Sequence, residues 1–236
     1  MKTFLFGDMH GEFSKLEKDV FPEGQTLTKE DYVIVLGDFG LLWGMFGSRE
    51  EGYWANWLEN QPWTTLFISG NHENYKRLQR LPKENKFGGV VGKYSNSIYQ
   101  LKRGNVYTIN DKTFFAMGGA RSIDKHTRSV GISWWKEEVP SEDEIAFARE
   151  NVLKTKEVDY VITHTSYKEA IDAIIQFGIE KNGPSIWGDV QIQDNTVDFL
   201  DWVKVNLKYD KWYYGHMHND FIFEETRCLY NEYVEV

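Results

Sequence analysis

Five apolar runs of strand character in this chain each end at or close to a short polar motif, and no other feature limits its folding as much. The runs Thr3 to Phe6, Tyr32 to Leu36, Thr65 to Ile68, Tyr160 to Thr163 and Trp212 to Tyr214 lead into Gly7-Asp8-Met9-His10-Gly11, Gly37-Asp38, Gly70-Asn71-His72-Glu73, His164 and Gly215-His216-Met217-His218. Five of the six histidines lie in these motifs, and only His126 is left over. Packing gives no reason to set histidines beside Asp, Asn and Gly at strand ends. Metal ligation does. The carboxyl ends of strands in an open sheet are where ligand-binding groups are delivered, and glycines there allow close backbone approach.

Between and beyond these runs, Val106 to Ile109, Thr113 to Met117 and Phe221 to Phe223 read as further strands. Helical spacing of apolar residues appears over Phe13 to Val20, Arg49 to Glu59, Glu142 to Lys156 and Thr196 to Lys208. Ser141 with Glu144 three residues later has the form of a capping box, which marks the third helix start. Strands alternating with helices early and hairpin-like strands later predict a mixed α/β layered domain. With 236 residues and no repeat or composition break, residues 1–236 are expected to form a single domain. Gly118 to Pro140 and Glu180 to Asn195, which hold Trp134, Trp135 and Trp187, read as long surface loops. Loops of that length often carry function.

Composition narrows the function classes. A net charge of −9 without a basic cluster argues against an extended nucleic-acid surface. Bound divalent cations would still reverse the local sign at a phosphate site. Cys228 is the one cysteine, so there is no internal disulfide and no cysteine-rich zinc module. The apolar run at the start is too short for a signal peptide, and no stretch approaches the roughly 18 to 20 apolar residues of a membrane span. The expected location is cytoplasmic. Asp38-Phe39-Gly40 matches a kinase magnesium string, but the accompanying Gly-rich loop and His-Arg-Asp string are missing.

The candidate ligands are Asp8, Asp38, Asn71, His10, His164, His216 and His218, a mixed oxygen and nitrogen set suited to Mn, Fe, Zn or Co. Turn and capping chemistry accounts for one or two such positions, not seven. Asp8 with His10, and His216 with His218, are two residues apart, and in an extended backbone each pair projects to one side. Seven ligands exceed the needs of one ion and suit two ions that share a carboxylate. His72 points away from its neighbour Asn71 and is the candidate proton donor to a leaving oxygen. Glu73 reads as loop support and His126 as a solvated loop residue.

In order, Asp-x-His, Gly-Asp, Gly-Asn-His-Glu, His and Gly-His-x-His resemble the calcineurin-like metallophosphoesterase superfamily from Asp8 to His218. The resemblance implies a four-layer sandwich of two mixed β-sheets flanked by α-helices. It implies one metal on Asp8, His10 and His218, and a second on Asn71, His164 and His216, with Asp38 bridging. The cofactors would be two divalent ions, Mn first, with Fe, Zn, Co or Ni as alternatives. A hydroxide bridging them would attack phosphorus in line, and His72 would assist the leaving group. The implied function is hydrolysis of phosphomono- or phosphodiesters.

The Gly-Asp-x-His-Gly and Gly-Asn-His-Glu forms also resemble the Ser/Thr protein phosphatase branch. That branch carries Asp and Arg three and four residues after its second aspartate, where this chain has Leu41 and Leu42. Arg121 or Arg128 is the candidate substitute cation for the substrate phosphate, although exposure to solvent is the commoner state of an arginine. A protein phosphatase, a nuclease and a non-catalytic protein-binding module are the alternatives, and no protein partner is indicated.

Overall fold

The computed structural model describes residues 1–182 and 194–236. Elements of the first half of the chain are β1 (Thr3–Phe6), β2 (Tyr32–Val35), α1 (Arg49–Glu59), β3 (Thr64–Phe67), α2 (Tyr75–Leu78), β4 (Lys83–Lys86), β5 (Gly89–Lys93) and β6 (Ile98–Leu101). They are followed by β7 (Asn105–Ile109), β8 (Lys112–Met117), α3 (Glu142–Thr155), β9 (Glu157–Thr163), α4 (Lys168–Asn182), α5 (Asn195–Asn206), β10 (Lys208–Tyr214), β11 (Phe221–Phe223), β12 (Thr226–Cys228) and β13 (Tyr233–Glu235).

Among the described residues the strands form two sheets, ordered β13-β1-β2-β3-β6-β5-β4 and β11-β12-β10-β9-β8-β7. The inner strands β1, β2, β3 and β6 run parallel, as do β8, β9, β10 and β12, and antiparallel strands flank both sets. Both sheets are therefore mixed. Period-2 alternation explains why the sheets stack. Leu5, Ile34, Leu36, Leu66 and Ile68 from one sheet meet Phe114, Ala116 and Ile162 from the other in an apolar layer between them. The alternate residues Phe4, Phe6, Val33, Val35 and Phe67 face outward onto Leu16, Leu58 and Trp63. On the far side Phe115, Val161 and Trp212 pack under Ala148, Ile171, Ile174, Leu200 and Val203 of α3, α4 and α5. Helix, sheet, sheet, helix is the expected four-layer sandwich. No helix among the described residues is long and apolar enough to cross a membrane.

Several local expectations change. The segment Phe13 to Val20 is not an α-helix; only Phe13–Leu16 form a 3-10 turn, whose Phe13 and Leu16 are buried. A spacing of three suits one tight turn as well as a helix, and Pro22 shortly afterwards starts a second one. Helix α4 is an addition: Ala170, Ile171 and Ile174 give it a buried stripe, while Gly178 near its end lowers intrinsic helix propensity. Strands β4 to β6 are further additions; of these, Lys83-Glu84-Asn85-Lys86 of β4 has poor strand propensity and holds only as a partly exposed edge paired to β5. The short strands β12 and β13 exist through pairing with β10 and β1.

The segment from Gly118 to Pro140 is not simply a surface loop. Its middle is exposed, with 3-10 turns at Lys125–Thr127 and Lys136–Glu138, but Ala120, Ser122, Trp135 and Glu138 are buried. Of the other expected loop, Glu180 to Asn182 belong to α4 and Asn195 to α5. The stretch between them, Trp187 included, lies outside the described residues for 183–193.

Candidate metal centre

Parallel β1, β2 and β3 of one sheet and β9 and β10 of the other all end at the same edge of the sandwich, and their carboxyl ends carry the five motifs. Side chains of Asp8, His10 and His218 converge there, as do those of His10, Asp38 and His72, and of Asp8, Asp38 and His164; within each trio the potential ligand atoms lie within 4.8 Å of one another. His216 adds its ring beside His164, centroids 4.9 Å apart, and its backbone N–H donates to Asp8 Oδ1 at 2.8 Å.

Asp8 and His10 do reach one cluster, but not through an extended backbone. This pair and His216 with His218 lie beyond the strand ends in turns, and His10, Asp38, His216 and His218 have φ of +49°, +46°, +65° and +49°. Left-handed backbone is uncommon for non-glycine residues and concentrates at functional sites. Turns, not strand alternation, aim these side chains. Two glycines make room: a Cβ on Gly37 would lie 2.1 Å from His164 Nδ1, and one on Gly70 would lie 2.1 Å from Asp38 Oδ1. Glu73 stitches the loops together, accepting the Phe39 N–H at 2.6 Å and the Gly70 N–H at 2.7 Å.

Donor chemistry shows what the cluster fits. His164 Nδ1 lies 2.9 Å from the Leu36 carbonyl, so Nδ1 carries a proton and, in the neutral ring, Nε2 is bare. That bare nitrogen is 2.9 Å from Asn71 Oδ1, another acceptor. Nε2 atoms of His10 and His218 face each other at 2.9 Å. Buried Asp8 Oδ2 sits 3.0 Å from His218 Nε2 and 3.6 Å from His10 Nε2. The lone pairs of His164 Nε2 and Asn71 Oδ1, aimed at one another, are poorly paired as they stand and are satisfied by a cation between them. Mixed N/O donors of this kind suit Mn, Fe, Zn or Co.

The electrostatics agree. Burial, with the Asp8 charge, pushes Asp38 up to about 7. Burial also opposes ionisation of Asp8, but the His164, His10 and His218 imidazoles hold its carboxyl well below the usual range. Two acids confined this closely favour positive charge beside them. Burial and then His164 push His216 down to about 3, leaving a neutral ligand-type imidazole.

Arg128 approaches His72, with Nη1 2.7 Å from Nδ1 and Nη2 3.3 Å from Nε2, while Asp124 holds the other side of the guanidinium at 2.7 and 2.8 Å. A guanidinium only donates, so the nearer ring nitrogen is an acceptor and the ring is neutral. Burial and Arg128 bring His72 down to about 3. Arg121 is partly buried near the start of the same loop, and His126 is exposed. Leu41 and Leu42 are core residues, so the acid and arginine of the phosphatase branch have no counterpart there.

Beside His10 the site opens into a cavity of about 240 Å³ walled by Phe13, Trp43, Phe46 and Trp54. Behind Asn71, sequence reasoning missed two residues. Asn71 Nδ2 donates to Ser122 Oγ at 3.0 Å, and Ser122 donates its hydroxyl to Glu138 Oε2 at 2.6 Å. Ser122 follows the glycine pair after β8, a position that signals a site loop; Glu138 carries no local signal.

No curated protein sequence matches the chain. A Staphylococcus aureus structure described as a candidate 5'-nucleotidase in complex with alpha-ketoglutarate aligns at 11% identity and a TM-score of 0.44, over 99% of this chain and 50% of that one. The chain thus spans about half the length of that protein. The family model for calcineurin-like phosphoesterases matches residues 1–220, which contain every motif described above. The chain belongs to the calcineurin-like phosphoesterase family.

Proposed function

We propose that this protein hydrolyses phosphomono- or phosphodiesters with two divalent metal ions, Mn²⁺ first among the candidates. One ion would sit on Asp8, His10 and His218 and the other on Asn71, His164 and His216, with Asp38 shared. The observation that carries the reading is the convergence of ligand atoms: bare His164 Nε2 on Asn71 Oδ1, and the Nε2 atoms of His10 and His218 on each other and on Asp8 Oδ2. Bound ions supply Lewis-acid stabilisation of phosphoryl charge and a water acidic enough to act as nucleophile.

The residues of the chain do the rest. Strained turns at His10, Asp38, His216 and His218 hold donors in place before any ion arrives, which removes reorganisation from the reaction. Arg128 fixes the His72 ring and adds fixed positive charge beside the place of the phosphoryl group. With Nδ1 turned to Arg128, His72 keeps its proton on Nε2 and donates a hydrogen bond from there toward a phosphoryl or leaving oxygen. The cavity beside His10, walled by Trp43 and Trp54 and edged by Ser48, Glu50 and Glu51, gives the leaving group a surface that is part aromatic and part polar. A leucine pair in place of the Asp and Arg of the phosphatase branch favours esters other than phosphoproteins.

The test is metal content of the purified protein together with Mn²⁺-dependent hydrolysis of p-nitrophenyl phosphate and bis-p-nitrophenyl phosphate, for wild type, Asp38→Asn and His72→Ala. About two ions per chain and a loss on the order of 10²-fold or more in kcat for both variants support the reading. A reconstituted protein that binds no metal and cleaves neither ester overturns it.

A further inference from the structure

An asparagine ligand has two faces, and only one of them binds a cation. Asn71 presents Oδ1 to His164 Nε2 at 2.9 Å, but a half-turn of the amide would place its NH₂ there instead. The flipped amide would donate to the bare His164 nitrogen, a sound hydrogen bond that closes the site on itself. Something must set the direction.

The structure supplies it in two steps. Ser122 Oγ lies 3.0 Å from Asn71 Nδ2 and 2.6 Å from Glu138 Oε2, while Glu138 Oε1 accepts the Ser122 N–H at 2.9 Å. An O–H···O separation of 2.6 Å belongs to the charge-assisted class, in which a hydroxyl donates to a carboxylate. A serine has a single hydroxyl proton. Once Glu138 takes it, Oγ offers Asn71 only lone pairs, and the amide must answer with its NH₂. Oδ1 is then turned toward the cluster of Asp38 and His164.

The relay is sealed and rigid. Ser122 and Glu138 are each 1% exposed, so bulk water does not compete for the hydroxyl. The Glu138 carbonyl accepts Arg103 Nη2 at 2.7 Å, and Arg103 also donates to the Gly118 carbonyl at 2.8 Å. Both ends of the loop after β8 are thus pinned at the relay.

We propose that Glu138 and Ser122 are positioning residues that impose the orientation of the Asn71 amide and so keep one cation position open. This rests on the two-metal reading above. The test is calorimetric titration of MnCl₂ into metal-stripped protein, with thermal stability of the stripped protein measured alongside. Wild type is expected to take two Mn²⁺ per chain. Glu138→Gln can donate to Ser122, freeing the serine proton for Asn71 Oδ1; affinity for one of the two ions should fall about 10- to 100-fold. In an Asn71→Asp background the sign should reverse. There the introduced carboxylate and Glu138 would compete for one serine proton, and Glu138→Gln ends the competition, so Mn²⁺ should bind at least as tightly as in the single Asn71→Asp variant.

Equal losses in both backgrounds would mean that Glu138 merely holds the loop, and unchanged affinity in the Asn71 background would also overturn the proposal. Wild type that binds no Mn²⁺ would remove the two-metal reading itself, a distinct result. If Glu138→Gln does not fold, Ser122→Ala takes its place: at least a tenfold loss for one ion is expected, and wild-type affinity would sink the idea.

Discussion

At the scale of single residues, the site is built from groups that would be costly anywhere else. Glu73 is fully buried, and burial followed by the Asp38 charge pushes it up to about 8. Its two oxygens serve the Phe39 and Gly70 N–H groups at once. Glu73→Gln keeps one acceptor and turns an NH₂ on the other N–H, so chemical denaturation should show a loss of about 1–3 kcal/mol. Arg128 reaches His72 from the loop after β8, held by Asp124 on its other side. Arg128→Ala should lower kcat for p-nitrophenyl phosphate on the order of 10²-fold, the usual cost of removing one donor aimed at developing charge. Arg128→Lys should not restore it, because a lysine cannot grip Asp124 and His72 together. Recovery by lysine would reduce the role of Arg128 to charge alone.

At the scale of elements, Arg103 ties the loop after β8 to the rest of the molecule. It is 8% exposed and donates to the carbonyls of Gly118 and Glu138, to the Tyr75 hydroxyl and to Glu144, whose other contact closes the capping box at the start of α3. Arg103→Met keeps much of the volume and strands two buried carbonyls. A loss of about 3 kcal/mol is expected, with faster amide exchange in residues 118–140 than in α5. Uniform exchange changes across both would count against a local tie. Ser141→Ala, which removes only the cap, should cost about 1 kcal/mol and leave that loop's exchange unchanged.

At the scale of the whole molecule, two sheets meet with their strand ends in register and press acids and imidazoles into one edge, and that arrangement couples stability to pH and metal. Asp38 and Glu73 titrate near 7 and 8 in the folded chain, and Asp8 and Asp38 with Glu73 hold His10 above its ordinary value despite its burial. At about pH 6.5 the carboxyls of an unfolded chain have lost their protons and its histidines are half protonated, losing the rest by about pH 8. The folded metal-free chain therefore binds more protons than the unfolded one between about pH 6.5 and 8, and its stability should fall as pH rises through that window. His72 and His216, both near 3, contribute the opposite slope through the unfolded histidine pKa near 6.5, which offsets part of the fall at the lower end of that window. Mn²⁺ at 100 times its Kd should add about 2.7 kcal/mol per site. Urea unfolding at pH 6.5 and 8, with and without Mn²⁺, checks both statements; a metal-free protein more stable at pH 8 contradicts the first.

The sequence alone determined a layered α/β class and, through the family resemblance, its two-sheet form, and it marked seven candidate ligands, because strand-like runs and residue type at strand ends are local features. Runs such as Thr3 to Phe6 and Tyr32 to Leu36 already read as buried strands, and Asp8, Asp38 and His164 already stand where strands stop; only packing showed that Phe4 and Leu5 face opposite layers. Elements without such a pattern, such as the charged edge strand β4, could not be read, since pairing rather than propensity makes them. Tertiary structure alone decided the directions: left-handed turns at four of the donors, Arg128 on His72 across 56 positions, and Ser122 behind Asn71 across 51. A single hydrogen bond between residues so far apart leaves no period or motif in a chain. It exists only once the sheets and the loop after β8 have packed.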